Sequence, residues 1–286
     1  MKKIIPLLLL TFLFAACHKD TGTAKVHVNV NDFAISQEDM SKTSENVANY
    51  AGVKAITIAF YKADGTEQYK TTQMRADATT YTTFGHFDIS LPMGSYTMVV
   101  LGYGLKEGEP AITLNNSTEA TFGTYPARET FAYTQAVNIT NANDVVDISA
   151  TLSRVISKLK IHSTDGCTEN AVNVRTTFSA GGKAFNPATG LATSNSGFSN
   201  VLPIESSVGN STTSVSYLFL STDEQTMTVT IDVLDASGNS LSHKVVANVP
   251  FKRNRQTVLS GSLYSAGVSG DFTVETSWLD DYNMDF

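Results

Sequence analysis

The fold class of this chain is decided by the stretch Met-Thr-Val-Thr-Ile-Asp-Val at residues 227–233. Its apolar and polar residues alternate with a period of two, which places the apolar set on one face of a β-strand and the polar set on the other. Turn residues follow at 235–239 (Asp-Ala-Ser-Gly-Asn), and 241–249 returns as the second strand. The segment therefore predicts a β-hairpin with one buried face.

Similar runs recur along the chain about every ten residues, separated by turn residues, and no amphipathic helical pattern of 12 or more residues interrupts them. This spacing predicts an all-β protein built of antiparallel β-sandwiches. We interpret 32–51 as a long loop with at most a turn or two of helix, and 180–200 as a loop. The predicted strands are 24–31, 55–61, 68–74, 87–91, 95–102, 111–114, 135–139, 145–162, 172–179, 214–220, 227–233, 241–249, 255–263 and 271–278.

The length of 286 residues suggests two domains. The long β-branched stretch 145–162 predicts the last strand of one domain running into the first strand of the next. We therefore expect an N-terminal β-sandwich at 24–153 and a C-terminal β-sandwich at 154–286.

Charged residues make up 16% of the chain and the formal charge is −7. Nucleic-acid binding needs clustered Lys and Arg, and no basic run is longer than Lys252-Arg253. This excludes nucleic acid as an expected partner. A surface rich in Ser, Thr and Asn is instead typical of extracellular β-proteins.

The N-terminus has the form of an export signal. Two lysines precede the apolar stretch 4–14, and Ala15-Ala16 precede Cys17. This pattern predicts a signal peptide at 1–16. It also resembles a bacterial lipobox, in which Cys17 carries the lipid and 17–23 forms a lipidated leader. Attachment to a membrane through palmitate and further acyl chains would then be durable. The alternative is an ordinary signal peptide with a chance cysteine.

Residues for catalysis, cofactors or metals are not grouped in the sequence. It lacks the phosphate-binding, dinucleotide-binding, zinc-protease and hydrolase motifs, so we expect no enzyme, no catalytic residue and no cofactor. Cys167, the second of two cysteines, is expected to be a semi-buried or inert thiol. Scattered histidines predict no metal site. They are His18, His27, His86, His162 and His243.

Two segments carry a resemblance to a known family. The first is Ile-Ser-Ala-Thr-Leu-Ser-Arg-Val-Ile-Ser-Lys-Leu-Lys-Ile at 148–161, and the second is Val-Pro-Phe-Lys-Arg-Asn-Arg-Gln-Thr-Val-Leu-Ser-Gly-Ser-Leu at 249–263. With the lipobox and Trp278 near the end, the chain resembles the fimbrillin and fimbrial-anchor superfamily of Bacteroidia type V pili. The resemblance implies two tandem transthyretin-like sandwiches and a surface-exposed lipoprotein of the cell outer membrane that belongs to a fimbrium.

The resemblance also implies partners and a mode of assembly. Other fimbrial subunits would join by β-strand addition, with Val26, Val28 and Val30 as the residues that fill the groove. In stalk subunits a protease cuts after an Arg beyond the first strand, but here the first basic residue after that strand is Lys42 and the first Arg is Arg75. This favours an anchor or accessory subunit over a polymerising stalk subunit. A Lys-directed cut at the candidate processing site Lys42 would reverse that preference.

A second interpretation is an outer-surface glycan-binding lipoprotein of a nutrient-uptake system, also made of tandem β-domains. Such a protein would be expected to display exposed aromatic residues on one face of its loops. This chain has one Trp, at position 278 in a predicted terminal strand. The pattern mildly favours the fimbrial interpretation.

Overall fold

A computed structural model describes residues 22–35, 44–77, 83–265 and 272–277. The predicted signal peptide at 1–16, Cys17, Lys42 and Trp278 lie outside these residues. The strands are β1 Thr23–Ala34, β2 Ser44–Asn46, β3 Ala55–Lys62, β4 Glu67–Met74, β5 His86–Pro92, β6 Gly94–Tyr103, β7 Thr113–Asn116, β8 Glu119–Thr121, β9 Thr130–Ile139, β10 Val145–Arg154, β11 Ser157–Ser163, β12 Asn173–Phe178, β13 Ala184–Phe185, β14 Phe198–Pro203, β15 Thr213–Leu218, β16 Glu224–Leu234, β17 Ser240–Lys252, β18 Gln256–Gly261 and β19 Thr273–Ser277.

The prediction of an all-β sandwich fold is confirmed. The one helical segment among the described residues is a single 3₁₀ turn at Arg75–Asp77. No described helix has the length and apolar character needed to cross a membrane.

The first ten strands, β7 and β8 excepted, form one eight-stranded sheet in the order β2-β1-β10-β9-β6-β3-β4, with β5 also paired to β1. The pairing of β10 with β9 is confined to Ser153 and Arg154, which lie opposite Ala132 and Phe131. This short corner divides the sheet into two layers. Between them lies an apolar core that includes Val28, Phe60, Met98, Phe131 and Leu152.

The strands after residue 157 form two four-stranded sheets in the orders β15-β11-β18-β19 and β14-β12-β16-β17. The hairpin predicted from 227–233 is β16 and β17, and Val229, Ile231 and Val233 have no exposed surface. Alternate residues of these strands meet in a core with Leu159 and Leu259. Burial of one apolar face per strand is the main source of stability here.

The expectation of purely antiparallel sandwiches is wrong for two strand pairs. β1 runs parallel to β10, and β11 runs parallel to β18. Alternation of residues specifies which face of a strand is buried but leaves its direction open, so the sequence pattern did not distinguish these pairs.

The boundary region also differs from its predicted form. The stretch 145–162 is interrupted at Val155 and Ile156, both buried, so β10 and β11 are separate strands. These residues belong to a core cluster with Phe185 and Phe219, against which the three-stranded sheet β13-β8-β7 packs. The domain division at 153/154 stays a prediction.

Short strands lie inside or next to the two predicted loops. The range 32–51 contains the end of β1 and all of β2, and 180–200 contains β13 and the start of β14. β2 and β13 have three and two residues and are too short to show a period, so they were not predicted.

Candidate functional site

The N-terminal strand β1 lies in a seat with two walls. One wall is β10, which pairs in parallel from Lys25 opposite Val145 to Ala34 opposite Ser153. The other wall consists of β5 alongside residues 23–29 and β2 alongside residues 32–34, both antiparallel. The backbone of β1 therefore pairs on both sides along most of its length.

The predicted groove-filling residues all point into the core. Val26 and Val28 have no exposed surface, and Val30 is 3% exposed. Phe33 continues the row after a register shift between Val30 and Asp32, and its ring lies 4.8 Å from that of Phe131. Burial of each such side chain contributes about 1.5–3 kcal/mol relative to exposure, so this row holds β1 strongly in its seat.

Among the described strands, β5 pairs with no strand except β1, and β2 likewise pairs only with β1. If β1 left its seat, β10 would lose its partner along residues 145–153, and β5 and β2 would lose their link to the sheet. The emptied seat would expose unpaired N–H and C=O groups beside an apolar floor. Such an edge is a template for another strand.

A buried polar group, which we call the junction cluster, lies where β1 ends and the two halves of the chain meet. It consists of Tyr50, Glu129, Arg154 and Asn254. Arg154 is 2% exposed, and its Nε lies 2.7 Å from Glu129 Oε1. Arg154 Nη2 donates to Tyr50 Oη at 3.1 Å and Nη1 donates to Asn254 Oδ1 at 2.9 Å, while Tyr50 Oη donates to Glu129 Oε1 at 2.9 Å.

Burial raises the pKa of the Glu129 carboxyl, and the charge of Arg154 opposes that rise. Burial also lowers the pKa of Arg154, with Glu129 as the main opposing influence. Each charge thus depends on the other, and removing one would leave an uncompensated charge in the interior.

The junction cluster also joins the two sequence segments that carried the family resemblance. Arg154 comes from the first segment and Asn254 from the second, and Arg154 Nη1 donates in addition to the carbonyl of Ile35 at 2.9 Å. Asn254 is fully buried with φ of 58°, a left-handed conformation that Asn tolerates better than most residues. The end of β1, the strand junction and the turn between β17 and β18 therefore share one contact group.

Arg75, the first Arg after β1, is engaged by the folded chain. Its Nε donates to the Val53 carbonyl at 2.8 Å, and Nη2 donates to the Val47 and Tyr50 carbonyls at 2.8 and 3.1 Å. The guanidinium also lies 4.2 Å from the centre of the Phe84 ring. It holds together the chain around 47–53 rather than extending into solvent.

The expectation that the histidines are scattered is wrong for two of them. His27 on β1 and His86 on β5 lie beside Asp88, on the outward face of the β1–β5 ladder. The carboxylate contacts His27 Nδ1 and lies 3.2 Å from His86 Nε2. The hydrogen bond with His27 is the main cause that lowers the pKa of Asp88. Strand register, which the sequence does not show, brings these residues together.

Cys167 is 4% exposed and makes no disulfide. Nearby Asp165 holds the turn at 262–265: its carboxylate accepts the Ser262 hydroxyl at 2.6 Å and the backbone N–H groups of 263–265 at 2.7–2.9 Å. Burial would raise the pKa of Asp165, but these hydrogen bonds outweigh it and lower the pKa. Both residues therefore contribute to the fold, Cys167 as a buried thiol and Asp165 through the turn that it holds.

Solved structures share this architecture. One described as a candidate adhesin from Bacteroides ovatus has a TM-score of 0.52 at 11% identity, over 80% of this chain and 83% of that chain. Another candidate adhesin from Bacteroides ovatus has a TM-score of 0.50 at 9% identity, over 88% and 96%. The fimbrial anchor protein Mfa2 from Porphyromonas gingivalis gives 0.47 at 13% identity, over 84% and 91%. The similarities to the two Bacteroides ovatus structures show that the fold is shared and nothing beyond the fold.

No curated protein matches the sequence. The sequence does match one family, described as a family of unknown function, over residues 19–285. Because that match covers nearly the whole chain, the protein belongs to the family of unknown function DUF6562.

Proposed function

We propose that this protein is a structural, non-catalytic subunit of a cell-surface fimbria, which joins other fimbrial subunits by β-strand exchange and supports cell adhesion. The observation that carries the proposal is the seat of β1, a terminal strand buried along one face and paired on both sides. The Bacteroides ovatus structures of similar fold are described as candidate adhesins, which agrees with a role at the cell surface.

The physical basis is strand addition. A strand from another subunit with the same alternation of apolar residues could form the same backbone hydrogen bonds to β10 and β5 and fill the places of Val26, Val28 and Val30. When subunits exchange an identical strand, that strand forms in the partner the contacts that it lost in its own chain. The exchange therefore costs little free energy at equilibrium. The emptied seat, by contrast, is costly, because unpaired strand edges and apolar surface would face water.

Within that role we propose an anchor or accessory subunit rather than a polymerising stalk subunit. No Arg lies between β1 and Arg75, and Arg75 is held by backbone carbonyls and the Phe84 ring, which protects it from an Arg-specific protease. The strand β1 would then stay covalently joined to its own chain. Lipid on Cys17 would keep the protein at the surface of the outer membrane.

A reversible cross-link tests the role of β1. Lys25 and Ser90 are exposed and lie directly opposite each other in the antiparallel β1–β5 pair, where Cα atoms are about 4.5–5.5 Å apart and a disulfide fits. The double variant Lys25→Cys/Ser90→Cys should fold and reach the cell surface. It should not form the heat-resistant, detergent-resistant complexes expected of strand exchange until a reductant is added.

The matched control is Ser95→Cys/Asn138→Cys, an exposed pair directly opposite each other in the β6–β9 ladder, away from β1. This variant should form complexes with or without reductant. If the β1–β5 cross-link leaves complex formation unchanged, assembly does not use the β1 seat and the strand-exchange proposal is wrong.

Membrane attachment is tested separately. Cys17→Ala should move the protein from the membrane fraction to the soluble fraction, because the proposed lipid would be lost. Cys167→Ala is the control: it removes the buried thiol and should leave the protein in the membrane fraction. Retention of the Cys17→Ala variant in the membrane fraction would contradict lipid anchoring at this residue.

A further inference from the structure

The outward face of the β1–β5 ladder brings three metal-binding side chains together. His27 on β1 lies directly opposite Asp88 on β5, and Asn29 lies directly opposite His86. Because opposite and diagonal neighbours on one face of an antiparallel pair are within side-chain reach, these two rows form one group. One imidazole comes from the N-terminal strand and the other from the strand that forms its wall.

The ligand atoms already converge. His27 Nδ1 contacts Asp88 Oδ1, and His86 Nε2 lies 3.2 Å from the same oxygen. All three candidate ligand atoms lie within 4.8 Å of one another. Ligands of a tetrahedral Zn²⁺ ion, each about 2.0–2.1 Å from the metal, are separated from one another by about 3.4 Å. Small rotations of the side chains would therefore bring them around an ion.

A neighbouring amide orients one of the imidazoles. His86 Nδ1 lies within hydrogen-bond distance of Asn29 Oδ1, and an amide oxygen can only accept, so a proton on Nδ1 satisfies this contact. Nε2, the nitrogen that faces Asp88, is then the nitrogen available to a metal ion. A histidine that ligates a metal usually donates its other ring N–H to such an acceptor, which fixes the tautomer and ring orientation.

Charge and access also suit a cation. Asp88, whose side chain is exposed, brings a carboxylate to this face. Exposed Asp147, which pairs with His27 on the β10 side, adds a second negative charge to this face. The side chains of His27, His86 and Asp88 are 30%, 35% and 64% exposed, so an ion and a remaining water ligand could reach the group.

We propose that His27, His86 and Asp88 form a binding site for a divalent transition-metal ion, with Zn²⁺ as the representative ion. Two imidazoles, one carboxylate and an open position are a ligand set suited to Zn²⁺ and related borderline cations rather than to Mg²⁺ or Ca²⁺, which take oxygen ligands. The bound ion links β1 to β5 and so clamps the N-terminal strand in its seat.

Binding can be measured by calorimetric titration of ZnCl₂ into the untagged, chelator-treated chain. His86→Gln and Asp88→Asn should each weaken Zn²⁺ binding by about tenfold or more, since each removes or neutralises a ligand. The matched control is His243→Gln. His243 and Asp232 also lie opposite each other on paired strands, with Nδ1 2.7 Å from Oδ1, but this pair contains only one imidazole. This variant should bind Zn²⁺ as the unmodified chain does.

Thermal unfolding gives a second readout that does not depend on assembly. Zn²⁺ at about 100 times its dissociation constant for the unmodified chain should raise the unfolding midpoint of that chain by about 5 °C, and that of His86→Gln by about half as much or less. Equal Zn²⁺ affinity in the unmodified chain and both ligand variants, or no binding to any of them, would overturn the site. If Asp88→Asn alone keeps the Zn²⁺ affinity of the unmodified chain, the three-ligand composition of the site is wrong.

Zn²⁺ binding at these residues does not depend on the proposed function. Only the effect of the metal clamp on strand exchange rests on the proposed function. Zn²⁺ should slow amide hydrogen exchange in 23–29 of the unmodified chain but not of His86→Gln. If Zn²⁺ binds at these residues without slowing that exchange, the site stands and the clamp is wrong. The Lys25–Ser90 cross-link tests strand exchange without metal, so the two proposals can fail separately.

Discussion

Replacement of Arg154 by Met should destabilise the protein far more than loss of an exposed arginine. The side chain is 2% exposed and its Nε lies 2.7 Å from Glu129 Oε1, whose side chain is 10% exposed. Met keeps much of the volume but leaves the carboxylate buried without a counter-charge. Breaking a buried pair from one side costs about 3–5 kcal/mol. With a urea dependence of about 2.5 kcal/mol per molar, the unfolding midpoint should fall by about 1–2 M.

The double variant Arg154→Met/Glu129→Gln separates this charge effect from lost packing. With the carboxylate gone, the double variant should be more stable than Arg154→Met by about 1–3 kcal/mol, and the two single losses should not add. Lys70→Met is the control: its ammonium also pairs with a carboxylate, Glu67, but both side chains are 39% exposed, so the loss should be about 1 kcal/mol or less.

The pH dependence provides an internal check. Without Arg154, burial should hold the pKa of Glu129 further above its unfolded value, since the opposing charge is gone. A carboxyl with a raised folded pKa contributes stability below its unfolded pKa of about 4.3 and loses it as the pH rises through the folded pKa. The deficit of Arg154→Met should therefore shrink in acid. An Arg154→Met loss of under 1 kcal/mol, or additive single losses, would refute the charge-pairing argument.

Three further outcomes are expected. Asp165→Asn should cost about 1–3 kcal/mol of stability at neutral pH. Because the pKa of Asp165 is lowered in the folded state, its contribution is present above an unfolded pKa of about 3.9 and is lost as the pH falls through the folded pKa. Urea unfolding at pH 7 and in acid measures this dependence, and an equal loss of stability at both pH values would contradict it. Gly102→Ala should cost about 1–3 kcal/mol and speed hydrogen exchange in β1, because the new Cβ would lie 2.8 Å from Phe33 Cε1; unchanged stability would show that Phe33 can move aside. The Cys167 thiol should resist alkylation in the native protein and react after unfolding, as mapped by mass spectrometry; rapid native labelling would contradict its burial.

Alternating residues predicted most of the strands because burial on one face leaves a period-two pattern. The strand 227–233 lies within β16, and 24–31 lies within β1. Strand direction was not predictable in this way, and neither was β13, which has two residues and no period to detect. The sequence did not predict the break at Val155 and Ile156, because both residues are apolar and β-branched like their neighbours in the strands.

The candidate site was predictable in its apolar part and not in its polar part. Val26, Val28 and Val30 follow from the alternation of one short stretch. Arg154 and Asn254 are 100 residues apart, and His27 and Asp88 are 61 apart, so their meeting depends on strand order and register. A single sequence gives no direct signal of such long-range pairs.

The parallel pairing of β1 with β10 also bears on the time course of folding. Lys25 lies opposite Val145, so the first described strand to leave the ribosome or an export channel must wait for about 120 further residues before its sheet can close. During that interval β1 and the unfinished seat are both available to other chains. A holding chaperone, or rapid capture of β1 by β5, which follows some 60 residues later, would shorten the exposure. Newly made chains, rather than mature ones, would then be the form most open to pairing with a partner.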